Sequence, residues 1–79
     1  MEKRSIKLSY DKVADVLYIS FGEPQKGIAE ETESGILIRR HPKSRQVIGI
    51  TIIDFEKRFS TTKEQTLPIT LEEVASLPA

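Results

Sequence analysis

Three stretches hold residues whose types and spacing could do chemistry. They are "YDKVAD" with Asp11 and Asp15, the single histidine His41, and the basic run "RRHPKSR" around it. Two carboxylates across a short loop are a start towards a divalent-ion site. Calcium or magnesium needs about six oxygens in defined geometry, and no third ligand lies near in sequence. Turn chemistry is the expected role instead, with Asp11 accepting backbone N–H groups and Asp15 closing the loop. His41 is the one candidate for a general base at neutral pH. It precedes Pro42 at the tip of an expected hairpin, a poor place for a water-excluded site. A triad with Asp54 would have to bridge roughly 26 Å of strand at about 3.3 Å per residue. No zinc spacing, phosphate-binding glycine loop or nucleophile elbow is present. The sequence therefore predicts no catalytic residue, no metal and no cofactor: a non-enzyme.

The basic run places Arg39, Arg40, Lys43 and Arg45 within seven residues. A basic hairpin can grip phosphates or enter a groove. No aromatic is interleaved with it to stack bases, as single-strand binders require. Solvated charge is the expected role. Nucleic-acid or phosphoanion binding through Arg39, Arg40, Lys43 and Arg45 is the alternative function, and pairing with an acidic patch such as Glu30–Glu33 is a third role.

These residues must be positioned by strands. "SIKLSY" alternates, with Ile6, Leu8 and Tyr10 on one face. "VLYISF" follows "DKVAD", and pairing Tyr10 with Val16 sets Leu8 against Tyr18 and Ile6 against Ser20. "IAEETE" reads as an edge strand guarded by glutamates or as a loop. "GILIRR" and "QVIGITII" bracket "HPKSR", with Pro42 suited to a type I turn. Pairing Arg40 with Gln46 puts Ile38 opposite Ile48 and Ile36 opposite Ile50. "DFEKRFS" has room for one helical turn. Thr70 and Glu73 have capping-box spacing and Ile69 with Val74 that of a hydrophobic staple, predicting a helix of about two turns from Leu71. The fold class is a single small α+β domain over residues 1–79: an antiparallel four-stranded meander sheet with a short C-terminal helix packed on one face.

Composition bounds the rest. Seventy-nine residues without cysteine make one small domain with no disulfide framework or thiolate metal site. Twelve basic residues balance twelve acidic ones, so no net field draws in nucleic acid or membrane. No apolar run approaches a membrane span and the first residues lack a secretory core. A cytoplasmic protein with no membrane partner is the expectation.

Strands 16–21 and 47–53 read as apolar on both faces. With one face roofed by the C-terminal segment, Leu17, Ile19, Phe21, Leu37, Val47 and Ile53 are left on the other. At about 25 cal/mol per Å², an apolar patch of that kind favours a partner. The expected interface is Leu17, Ile19, Phe21, Val47 and Ile53, rimmed by Arg39 and Arg40. It would serve a homo-oligomer or another protein unless residues 54–69 fold back over the face.

"YDKVADVLYISF", the glutamate-rich stretch, "ESGILI" and "VIGITIIDF" together resemble the domain-of-unknown-function family 2283. The matching positions are Tyr10, Asp11, Asp15, Leu17, Tyr18, Ile19, Gly35, Gly49, Ile50 and Ile52. The chain departs from the pattern at the basic "RRHPKSRQ", where relatives carry an acidic turn, and at Thr51, where they tend to have Glu. Roles tied to those acidic groups are not carried over. The resemblance implies a small, mostly antiparallel α+β fold in bacteria and archaea, with no established activity. It also implies an antitoxin-like role, since some members are encoded beside small toxins. The functional expectation is a non-enzymatic, protein-binding or self-associating module.

Overall fold

A computed structural model describes residues 5–23, 25–61 and 63–70. It contains five strands and one short helix: β1 (Ile6–Asp11), β2 (Val16–Phe21), β3 (Ile28–Glu33), β4 (Ile36–Arg40), β5 (Val47–Ile53) and α1 (Phe55–Phe59). The sheet is antiparallel throughout, in the order β1-β2-β5-β4-β3. The four-stranded meander is therefore corrected twice. "IAEETE" is a true fifth strand, and β5 lies between β2 and β4 instead of ending the sheet. The physical reason lies in the apolar content of "VIGITII". A central strand is covered on both sides by neighbours, and four consecutive residues of β5, Val47 to Ile50, are buried. β3, with Glu30, Glu31 and Glu33, takes an edge, where charge opposes unwanted pairing.

Register decides which side chains share the core. β1 and β2 pair Tyr10 with Leu17, Leu8 with Ile19 and Ile6 with Phe21, one residue from the expected alignment. A one-residue slip moves a whole strand's side chains to the other face. The cause is the loop. Asp15 adopts the left-handed conformation at φ 60°, so Asp11 pairs with Val16 and only residues 12–15 make the turn. Leu17, Ile19 and Phe21 consequently join the core face and are not on the second face. In β4 and β5, Ile38 meets Ile50 and Ile36 meets Ile52. That is two residues from the expected pairing, which preserves the face.

A bulge between Arg39 and Arg40 pairs Arg40 with Val47 and brings Val47 into the core. The expected position of Val47 on the second face is thereby corrected. The core cluster is Ile36, Ile38, Val47, Ile50 and Ile52, all at most 5% exposed. Leu17, Ile19, Phe21, Phe55, Leu67 and Ile69 pack against it. Residues beyond β5 thus fold back over the core face, whereas the sequence reading puts residues 54–69 over the opposite one. Burying each such aliphatic side chain favours folding by about 1.5–3 kcal/mol, so this face carries most of the fold. The described helix is the five-residue α1; the helix expected from Leu71 lies outside the described residues.

Candidate functional site

Asp11 and Asp15 do the turn chemistry. Asp11 Oδ1 accepts the N–H groups of Val13 at 3.1 Å and Ala14 at 3.0 Å. Asp15 reaches further. Its Oδ1 accepts the Tyr10 hydroxyl at 2.6 Å and the Glu56 N–H at 2.8 Å, and its Oδ2 accepts the Lys57 N–H at 3.2 Å. Its carbonyl oxygen accepts the Phe55 N–H at 3.0 Å. A helix begins with N–H groups that lack intrahelical partners. The residue before α1, Asp54, sits at φ 58° with no side-chain cap bond. Asp15 supplies the cap from the β1–β2 loop, 41 positions away from Glu56.

The electrostatics follow from these bonds. The hydrogen bond from Tyr10, helped by the Glu56 N–H, holds the Asp15 carboxyl below its ordinary value. The same bond, with desolvation and the negative charge of Asp15, pushes the Tyr10 phenol up to about 12. The Tyr10 ring meets Phe55 edge-on at 5.7 Å between centroids, and Phe55 meets Phe59 at 5.2 Å. "YDKVAD" is thus a clamp that fastens α1 to the first hairpin. Among the described residues, no group of three or more His, Asp or Glu could hold a metal ion.

His41 Nδ1 accepts the N–H groups of Lys43 at 3.1 Å and Ser44 at 3.3 Å, which makes the imidazole a turn brace. Arg39 and Arg40 do not share a face of the sheet. Arg40 Nε donates to Glu30 Oε1 at 3.1 Å, and its Nη1 donates to the Arg45 carbonyl at 3.1 Å. Successive strand residues point to opposite faces, so Arg39 projects from the side away from the core and Arg40 from the core side. Lys43 and Arg45 are exposed in the turn.

The expected interface residues divide between the two faces. Val47 is 1% exposed in the core, and Leu17, Ile19 and Phe21 are half-buried against it. Ile53, 37% exposed, stands with Arg39 on the opposite face, with Val16, Tyr18, Thr51 and Leu37 as neighbours in the pairing. The larger exposed apolar surface lies elsewhere. Ile6 and Leu8 on β1 are 62% and 67% exposed. Beside them runs an apolar groove of about 470 Å³, walled by Ile6, Leu8, Ile19 and Phe21 on one side and Leu67 and Ile69 on the other. Alternation in "SIKLSY" marked these β1 residues as a single face. What it could not show is that the returning chain covers β4 and β5 and leaves β1 bare.

Two glycines fix the frame. Gly35 sits at φ 79°, and an added Cβ would collide with the Arg58 guanidinium. Arg58 Nη2 donates to the carbonyls of Ser34 at 2.9 Å and Ile53 at 3.2 Å, and Nη1 to Gln65 Oε1 at 3.1 Å. A Cβ on Gly49 would lie 2.9 Å from the Ile19 carbonyl oxygen, so the β2–β5 contact excludes one.

A family model described as "Protein of unknown function (DUF2283)" matches residues 7–55, more than half of the chain. The chain belongs to the DUF2283 family. The DUF2283 segment runs from β1 to the first residue of α1 and contains the Tyr10–Asp15 clamp together with Gly35 and Gly49. Tyr10, Asp11, Asp15, Gly35 and Gly49, among the positions that carried the resemblance, therefore have structural work in this chain. No curated protein and no solved structure is significantly similar to it. No helix among the described residues is long and apolar enough to cross a membrane.

Proposed function

We propose that the chain is a non-enzymatic, self-associating module whose contact surface is the apolar strip of β1 and the groove beside it. The observation that carries this reading is the exposure of Ile6 and Leu8, 62% and 67%, at the rim of an apolar groove. A surface of that kind gains by leaving water. The polar chemistry of the chain is engaged within the fold: Asp15 caps α1, His41 braces a turn and Arg40 pairs with Glu30. The alternative, phosphate binding by the basic hairpin, is weakened by the divergence of Arg39 and Arg40.

Light scattering across a dilution series tests the proposal. The expected result is a dimer or larger assembly for the native chain and a folded monomer for Leu8→Lys, which adds charge at an exposed site. Leu8 is a better probe than Ile19, whose half-buried side chain packs on the core. An unchanged mass for Leu8→Lys, or a native chain that is monomeric throughout, would overturn the proposal.

A further inference from the structure

The two edges of the sheet are built differently. β3 carries Glu30, Glu31 and Glu33, charges that oppose strand addition. β1 has one cation, Lys7, engaged by Glu23 at 2.9 Å, and its exposed apolar residues lie along the edge. Antiparallel partners alternate between hydrogen-bonded and open pairs. The bond from the Gly22 N–H to the Ser5 carbonyl, 2.8 Å, sets the phase. Lys7 and Ser9 therefore face β2 with their backbone groups. Ile6, Leu8 and Tyr10 direct theirs outward, and among the described residues no strand pairs with them. The same three residues thus offer free N–H and C=O groups and apolar side chains together.

We propose that two copies of this chain join edge to edge through β1, antiparallel about a two-fold axis at Leu8, so that both sheets become one. This deepens the self-association reading and rests on it. In this register Leu8 meets the partner's Leu8, Ile6 meets the partner's Tyr10, and Lys7 meets the partner's Ser9. Every outward backbone group from Ile6 to Tyr10 finds a mate. Sliding one step so that Ile6 meets the partner's Leu8 would set Lys7 against its own copy, and like charges directly opposite are destabilising. Sliding the other way puts Ser9 on the axis and carries Ile6 past the end of the partner's β1. The axis at Leu8 also brings the two apolar grooves side by side on one face of the joined sheet. The β1 edge carries only Lys7, paired with Glu23, and Asp11, whose carboxylate is engaged in the loop, so it is less guarded than β3, whose three glutamates oppose growth of the sheet at its other end.

The absence of cysteine lets single cysteines report the register. Mild oxidation of Leu8→Cys should trap a disulfide-linked dimer, while Ser9→Cys should cross-link far more slowly. Leu8→Pro removes the outward N–H, a change tolerated on an edge strand, and Leu8→Ala shortens the side chain while keeping the donor. The dimer of Leu8→Pro should dissociate about tenfold or more readily than that of Leu8→Ala, because two edge hydrogen bonds are lost. The cysteine pair decides the matter if Leu8→Pro fails to fold. Assembly of the native chain without Leu8→Cys cross-linking, or equal dimers for the proline and alanine variants, would overturn edge pairing and leave self-association standing. A monomeric native chain would overturn both.

Discussion

Tyr10 and Asp15 form a pair whose strength depends on pH at both ends of the scale. Asp15 is the depressed case. Its contribution is present above its ordinary 3.8 and is lost as pH falls through the lower value it has in the fold. Tyr10 is the raised case, moved from 10.0 to about 12. Its contribution is complete below pH 10 and disappears as pH rises towards 12. The expected outcome is a thermal midpoint higher in the native chain than in Tyr10→Phe from neutral pH to about 10, with the gap closing towards 12. Comparing the two chains cancels the titration of the lysines. In a Tyr18→Phe background, absorbance near 295 nm should show one phenol ionising near 12. A gap that stays constant through that range would mean that the hydroxyl–carboxylate bond does not hold in solution. Asp15 was legible in sequence as a turn residue and Tyr10 as a strand residue beside Leu8. Their long-range job was not, because the N–H groups of Glu56 and Lys57 that Asp15 accepts lie 41 and 42 positions along the chain.

At the level of elements, the β3–β4 turn, the end of β5 and α1 are held by one guanidinium. Arg58 bonds the carbonyls of Ser34 and Ile53 and reaches Gln65, while Gly35 leaves the space it occupies. Gly35→Ala meets two obstacles: a left-handed backbone, costing an L residue roughly 1–2 kcal/mol, and contact with Arg58. The expected loss is at least about 1 kcal/mol in urea unfolding, and it should be smaller when Arg58→Ala is already in place. Equal losses in both backgrounds would separate the glycine from the arginine. The strand pattern around this junction was readable from "GILIRR" and "VIGITII". The hairpin register was not, because the turn closes on His41 and Gln46, one residue from the in-phase Arg40–Gln46 pairing, the bulge opposite Arg39 and Arg40 adds a second residue, and both registers keep the isoleucines on one face.

For the whole molecule, the decisive feature is that one sheet face is covered unevenly. Phe55, Leu67 and Ile69 shield β4 and β5, whereas β1 keeps Ile6 and Leu8 in solvent. An assembly driven by that strip should resist salt, since apolar burial is not screened as ion pairs are. The mass measured by light scattering is therefore expected to hold from low to moderate ionic strength and to fall only on dilution. Dissociation by salt alone would point to the charged hairpin as the contact instead.

The sequence by itself determined the small α+β class, the strand identities of β1, β2, β4 and β5, and the turn roles of Asp11 and Asp15. These follow from local periodicity and side-chain reach, which a chain carries residue by residue. The tertiary structure alone decided that β5 is central, that Leu17, Ile19 and Phe21 face the core, and that Ile6 and Leu8 are the exposed strip. The reason is register. The unbroken apolar run Val16–Ile19 has no polar residue to mark its outer face, so its orientation is fixed by the left-handed turn at Asp15 and by pairing with a strand about thirty residues away.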